Sequence, residues 1–113
     1  MEERRRFIRY GHEFEIDYSP KGDGVIYSQS ISKNISRGGI CIPVLSRLVR
    51  IGDSIKLDIY INNRRNPVTC MGKVVWIKEM NTIAGHLLLD AEAGIEFTDV
   101  NTRDLEKLLQ AAQ

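Results

Sequence analysis

Two stretches of the chain carry side chains whose type and spacing suit the binding of an anion. The first, Glu2-Glu3-Arg4-Arg5-Arg6-Phe7-Ile8-Arg9-Tyr10, places four arginines within six positions. A guanidinium is a rigid fork of N–H donors that fits two phosphate oxygens, or O6 and N7 of guanine, at once. Arg5 and Arg9, four apart with Arg4 and Arg6 beside them, could therefore close over a compact ligand bearing more than one negative charge. By themselves these arginines fit a solvated basic tail or a tether to acidic lipid headgroups equally well. The second stretch is Asn34-Ile35-Ser36-Arg37-Gly38-Gly39-Ile40, a polar turn between two apolar runs. Asn34 offers an amide acceptor and amide donors, Ser36 a hydroxyl, and Arg37 a further cation for a phosphate. Gly38 and Gly39 permit a positive φ or the close approach of another group. Taken alone, the same composition is what a structural turn prefers.

The elements that must bring these stretches together read as strands. Ile55-Lys56-Leu57-Asp58-Ile59-Tyr60-Ile61 alternates apolar and polar residues strictly, which marks a half-buried strand. Phe14 to Tyr18 alternates in the same way, and Ser19 to Gly24 is dense in turn residues, suggesting a hairpin into a strand over 25–35. Gly39 to Val44 forms a strand after the polar turn, and Gly52-Asp53 signals a further turn. Val68 to Lys78 reads as a long strand with a bulge or bend at Gly72, and Trp76 within Val74-Val75-Trp76-Ile77 is expected in the core. A last strand runs from His86 to Phe97, irregular around Asp90 to Gly94. Asn101 is then an N-cap, with Asp104 at the third helical position and Leu105, Leu108 and Leu109 on one face of a three-turn helix. About six closely spaced strands without crossover helices imply an antiparallel β-barrel or sandwich.

At 113 residues, with 42% hydrophobic residues, the chain is sized for one domain. Sixteen Lys and Arg stand against 15 Asp and Glu, so any anion recognition is local rather than the general basicity of a nucleic-acid binder. Binding of single-stranded RNA would ask for exposed aromatics interleaved with basic residues, and the sequence does not present them. Cys41 and Cys70 lie in apolar stretches without CxxC spacing, as buried thiols of a reducing compartment do. His12 and His86 add no paired-ligand spacing for a metal. His12 itself reads as a surface histidine at the junction of arm and barrel. The charged N-terminus and the lack of a long apolar run point away from a secretory signal or membrane span and toward the cytoplasm. With no nucleophile and base set or carboxylate pair, the chain reads as a binding protein and not an enzyme.

Taken together, the two stretches resemble the signature of the PilZ family of cyclic di-GMP receptor domains, an RxxxR arm followed by [D/N]xSxxG. Here the first is Arg5-Arg6-Phe7-Ile8-Arg9 and the second Asn34-Ile35-Ser36-Arg37-Gly38-Gly39. Gly72-Lys73-Val74-Val75-Trp76 is similar to the family's GxVxW strand, and Gly94-Ile95-Glu96-Phe97 to its G[IV]xF strand. The resemblance implies an all-β fold, a six-stranded antiparallel PilZ-type β-barrel over residues 11–100 with a C-terminal α-helix over 101–113. A flexible, ligand-clamping arm over 1–10 completes the single domain. It further implies that cyclic di-GMP binds as a ligand, with no cofactor, on the outer face of the barrel. Arg5 and Arg9 would then contact phosphates and the Hoogsteen edge of guanine, Asn34 and Ser36 guanine edge and backbone groups, and Gly39 would keep the turn open. Arg4, just before RxxxR, goes in similar domains with a stacked pair of ligand molecules. Many members carry Asp where this chain has Asn34, which leaves one acceptor oxygen instead of two. The arm would order on binding, and output would pass to a protein partner in motility, biofilm or polysaccharide control. The alternative on the same fold is a nucleotide-independent interaction adaptor.

Overall fold

Complete burial of Ile55, Leu57 and Ile59, alternating with partly exposed Lys56, Asp58 and Tyr60, makes Ser54–Tyr60 the strand its pattern demands. The computed structural model describes residues 7–20, 28–62, 65–80 and 89–113. In chain order they form β1 (Tyr10–Gly11), β2 (Glu15–Pro20), β3 (Ser28–Ile31), β4 (Asn34–Ile35), β5 (Gly39–Val44), β6 (Ser54–Tyr60), β7 (Val68–Glu79), β8 (Ala91–Asp99) and the helix α1 (Thr102–Ala112). A short 3-10 turn, Ser46–Leu48, follows β5. All strand pairs are antiparallel, in the order β1-β4-β5-β8-β7-β6-β2-β3. The sheet curls strongly into a half-barrel.

Six strands were expected and eight segments are observed among the described residues. The run expected over 25–35 is divided, among the described residues, at Ser32-Lys33: β3 pairs with β2, while β4 pairs with β5. These two halves of one run span the gap between the sheet's edges. Ser32 N donates to the Phe14 carbonyl at 2.9 Å and Lys33 N to the Cys41 carbonyl at 2.8 Å. The break is held by Ser32, whose buried Oγ accepts from Phe14 N at 2.8 Å and donates to the His12 carbonyl at 2.6 Å. Tyr10, assigned to the arm by sequence, is already paired with Ile35 in β1. The hairpin turn at 21–24 and the start of the last strand at His86 lie outside the described residues; that strand is seen as β8.

The core inside the curl is built from Phe14, Ile16, Tyr18, Ile35, Ile40, Ile42, Ile55, Leu57, Ile59, Val74 and Ile95. Each fully buried Ile or Leu contributes roughly 1.5–3 kcal/mol. α1 covers one side of this core with Leu105, Leu108, Leu109 and Ala112. The Asn101 side chain caps it as expected, accepting from Arg103 N at 2.9 Å and Asp104 N at 3.2 Å. Gly52 takes φ +97°, the left-handed conformation that its turn requires. Cys41 and Cys70 are buried and not joined in a disulfide. Burial pushes the Cys70 thiol up to about 12. Burial also raises the phenol of Tyr18, whose oxygen accepts from Leu45 N at 3.0 Å. No helix among the described residues is long and apolar enough to cross a membrane.

Candidate functional site

The polar turn between β4 and β5 closes on itself before it meets anything else. Ser36 N donates to the Gly39 carbonyl at 2.9 Å, and buried Ser36 Oγ accepts from Gly38 N at 3.2 Å. The Gly38 carbonyl accepts from Phe97 N at 2.9 Å, which ties the turn to β8. Neither Gly38 nor Gly39 has a positive φ; each serves close approach instead. A Cβ on Gly39 would stand 2.2 Å from the Ile95 carbonyl oxygen, so this glycine is required by the neighbouring strand. A Cβ on Gly38 would stand 3.0 Å from the ring of Phe7, the first described residue of the arm.

The arm and the turn meet through a direct bond. Antiparallel pairing of Tyr10 with Ile35 and Gly11 with Asn34 lays the end of the arm along β4. In that register Arg9 Nη1 donates to Asn34 Oδ1 at 2.7 Å, although the two residues are 25 apart in sequence. The Arg9 Nε–H is buried and has no hydrogen-bond partner among the described residues. A buried donor left without an acceptor costs about 1–3 kcal/mol, so this atom is poised to gain from one.

Arg9, Phe7, Ser36, Gly38, Gly39 and Trp76 line a hollow of about 250 Å³ on the outer face of the sheet. Trp76 corrects the expectation that it belongs to the core: it is 38% exposed. The cause is a register shift in β7, where Val74 opposes Ile95 and Trp76 opposes Gly94, leaving Val75 as an extra residue. Strict alternation from buried Val74 would have turned Trp76 inward; the bulge sends both Val75 and Trp76 outward. The indole occupies the space a side chain at position 94 would need, since a Cβ there would lie 2.1 Å from Trp76 Nε1. The glycine of Gly94-Ile95-Glu96-Phe97 was the available signal, but only the strand register links it to Trp76.

The remaining candidates are placed as follows. Arg37 does not line the hollow; it forms an ion pair with Glu106 on α1. His12 packs against Phe14, with ring centroids 4.2 Å apart and the ring planes tilted by 45°. Arg4 and Arg5 lie outside the described residues. The hollow brings together a partly exposed indole, a guanidinium and a glycine-edged turn; the Asn34 amide does not line it and is joined to it through Arg9. That combination suits a flat heteroaromatic ligand carrying negative charge.

Comparison with known proteins identifies the family and the fold. The sequence profile described as the PilZ domain matches residues 3–112. No curated protein matches the sequence. Among solved structures, the Bacillus subtilis inhibitor of motility MotI/DgrA superposes with a TM-score of 0.74 at 20% identity, covering 98% of this chain and 50% of that one. The chain thus spans half the length of the Bacillus protein. The PilZ domain of YcgR from Escherichia coli, solved with cyclic di-GMP, gives 0.72 at 13% identity, covering 97% and 89% of the two chains. The PilZ domain of CeSA from a cellulose-synthesizing bacterium gives 0.61 at 10% identity, with 93% and 94% covered.

Proposed function

Because the chain belongs to the PilZ domain family, we propose that it is a receptor for cyclic di-GMP, with the nucleotide seated in the hollow beneath Phe7 and Arg9. The observation that carries this reading is the Arg9–Asn34 bond at 2.7 Å, which joins the arm motif to the turn motif beside an exposed tryptophan. Arg9 supplies charge to a phosphate, and its Nε–H, without a partner among the described residues, is a donor in reserve. Asn34 has its oxygen engaged by Arg9, which leaves its amide N–H donors for acceptors. The Hoogsteen edge of guanine presents two acceptors, O6 and N7, whereas adenine presents one acceptor and one donor. Asn34 thereby favours guanine. Trp76 offers a face on which a base stacks, a contact worth about 1–3 kcal/mol.

Arg5 and Arg37 add cations for the phosphates, with Ser36, Gly38 and Gly39 forming the floor of the site. Arg4 supplies the charge for a second, stacked nucleotide. Each charge-assisted bond is worth roughly 1.5–3 kcal/mol, so a few of them reach the −8 kcal/mol of a micromolar complex. Binding draws the arm onto the ligand, and the ordered surface is read by a protein partner in motility, biofilm or polysaccharide control. The chain acts by binding and not by catalysis, in the cytoplasm, where the nucleotide is held as a ligand.

Isothermal titration of cyclic di-GMP tests the reading. Saturable binding that Arg9→Ala weakens at least tenfold and that cyclic di-AMP does not reproduce is the expected outcome. A ratio of two nucleotides per chain supports the role given to Arg4. Absence of heat at tens of micromolar together with an unshifted melting temperature refutes the receptor reading.

A further inference from the structure

Arg37 sits inside the turn motif, and its neighbours Ser36 and Gly38 both line the hollow. Its guanidinium is directed elsewhere. It pairs with the carboxylate of Glu106 on α1, beside a second groove lined by Phe7, Ile8, Tyr10 and Leu109. Both partners are about half in water, at 49% and 41% side-chain exposure, so the pair exchanges readily and is worth no more than an ordinary surface bridge. A phosphate in the hollow offers Arg37 a second anionic partner with fork geometry as good as the carboxylate's.

Resting on the nucleotide-binding reading above, we infer that Glu106 sets the affinity of the site by competing with the ligand's phosphates for Arg37. Glu106 is a positioning residue here: it touches Arg37 and not the nucleotide. Engagement of Arg37 by the ligand requires its bridge to α1 to be given up, and that cost is subtracted from the binding free energy. An exposed ion pair contributes up to about 1 kcal/mol, which corresponds to an affinity change of up to about fivefold. The motif arginine is thus held in reserve by a residue far along the chain, on an element that carries no part of the motif.

Titration of cyclic di-GMP into the full chain at fixed ionic strength, as a double-mutant cycle, tests this. Glu106→Gln is expected to bind about three- to fivefold more tightly than the unmodified protein, and Glu106→Ala to do the same. Arg37→Gln is expected to bind several-fold more weakly. Glu106→Gln made in the Arg37→Gln background is expected to change nothing further. Melting temperatures within a few degrees of one another show that all variants are folded. Unchanged or weakened binding by Glu106→Gln overturns the inference. So does an equal gain in the Arg37→Gln background, which would mean that removal of any nearby negative charge is enough. If the unmodified protein shows no saturable binding, the receptor reading itself falls and this inference with it; a failure confined to the variants leaves the receptor reading standing.

Discussion

Gly39→Ala and Gly38→Ala, adjacent and chemically identical changes, should have very different consequences. At Gly39 the added methyl would lie 2.2 Å from the Ile95 carbonyl oxygen, 3.1 Å from its carbon and 3.3 Å from the Glu96 Cα. All three are backbone atoms of β8, and Gly39 itself pairs with Glu96, so the clash is relieved only by prising β5 from β8. Overpacking of this kind costs about 1–3 kcal/mol, and rigid backbone on both sides places it at the upper end. For a domain of this size about 3 kcal/mol lowers the melting temperature by roughly 10 °C. At Gly38 the methyl would meet Phe7 ring carbons at 3.0 and 3.1 Å, and Phe7 is an exposed side chain that can swing outward. Gly38→Ala should therefore lose about 0.5 kcal/mol or less, within the range of a surface change. Thermal and urea unfolding followed by far-ultraviolet circular dichroism measure both. Equal, small losses in the two variants would refute the argument that the last motif glycine exists for the β5–β8 contact.

Three further outcomes are expected. Trp76 is the single tryptophan of the chain, and its exposure beside the hollow means that cyclic di-GMP should change its fluorescence; Trp76→Ala should weaken binding by the loss of about 1–3 kcal/mol of stacking. Titration with unaltered affinity would exclude a stacking role. Ser32→Ala removes the acceptor of the Phe14 N–H at a buried site, and urea unfolding should show a loss of about 1–3 kcal/mol. Stability should also fall in alkali. Cys70 is held up to about 12 from 9.0 and Tyr18 is raised from 10.0, so the folded chain retains protons that the unfolded chain releases. For Cys70 this stabilisation is complete below about pH 9 and is lost as pH rises toward 12, at up to about 1.4 kcal/mol per pH unit, and Tyr18 adds to the loss above about pH 10. Cys70→Ala should flatten the first part of that decline; a slope unaffected by the substitution would show that the thiol is not its source.

Sequence alone determined what local backbone chemistry and periodicity can determine. Strict alternation from Ile55 placed β6, because side chains on successive strand residues point to opposite faces. Asn101, Asp104 and the leucine spacing placed α1, because a cap and one helical face are local properties. The two motifs of the candidate site were visible, and so was the family. Tertiary structure decided where these pieces point. Trp76 is outside the core because a bulge at Val75 shifts β7 by one residue, and a bulge depends on the partner strand as much as on its own sequence. Division of residues 28–35 between β2 and β5 follows from the curl of the whole sheet, with Ser32 bonding across the break. Gly39 serves a strand more than fifty residues later in the chain. Arg37 was legible as a cation within the turn motif, but its ion pair with Glu106 on α1 was not. Each of these is a contact between segments remote in sequence, and no spacing within one segment encodes its partner.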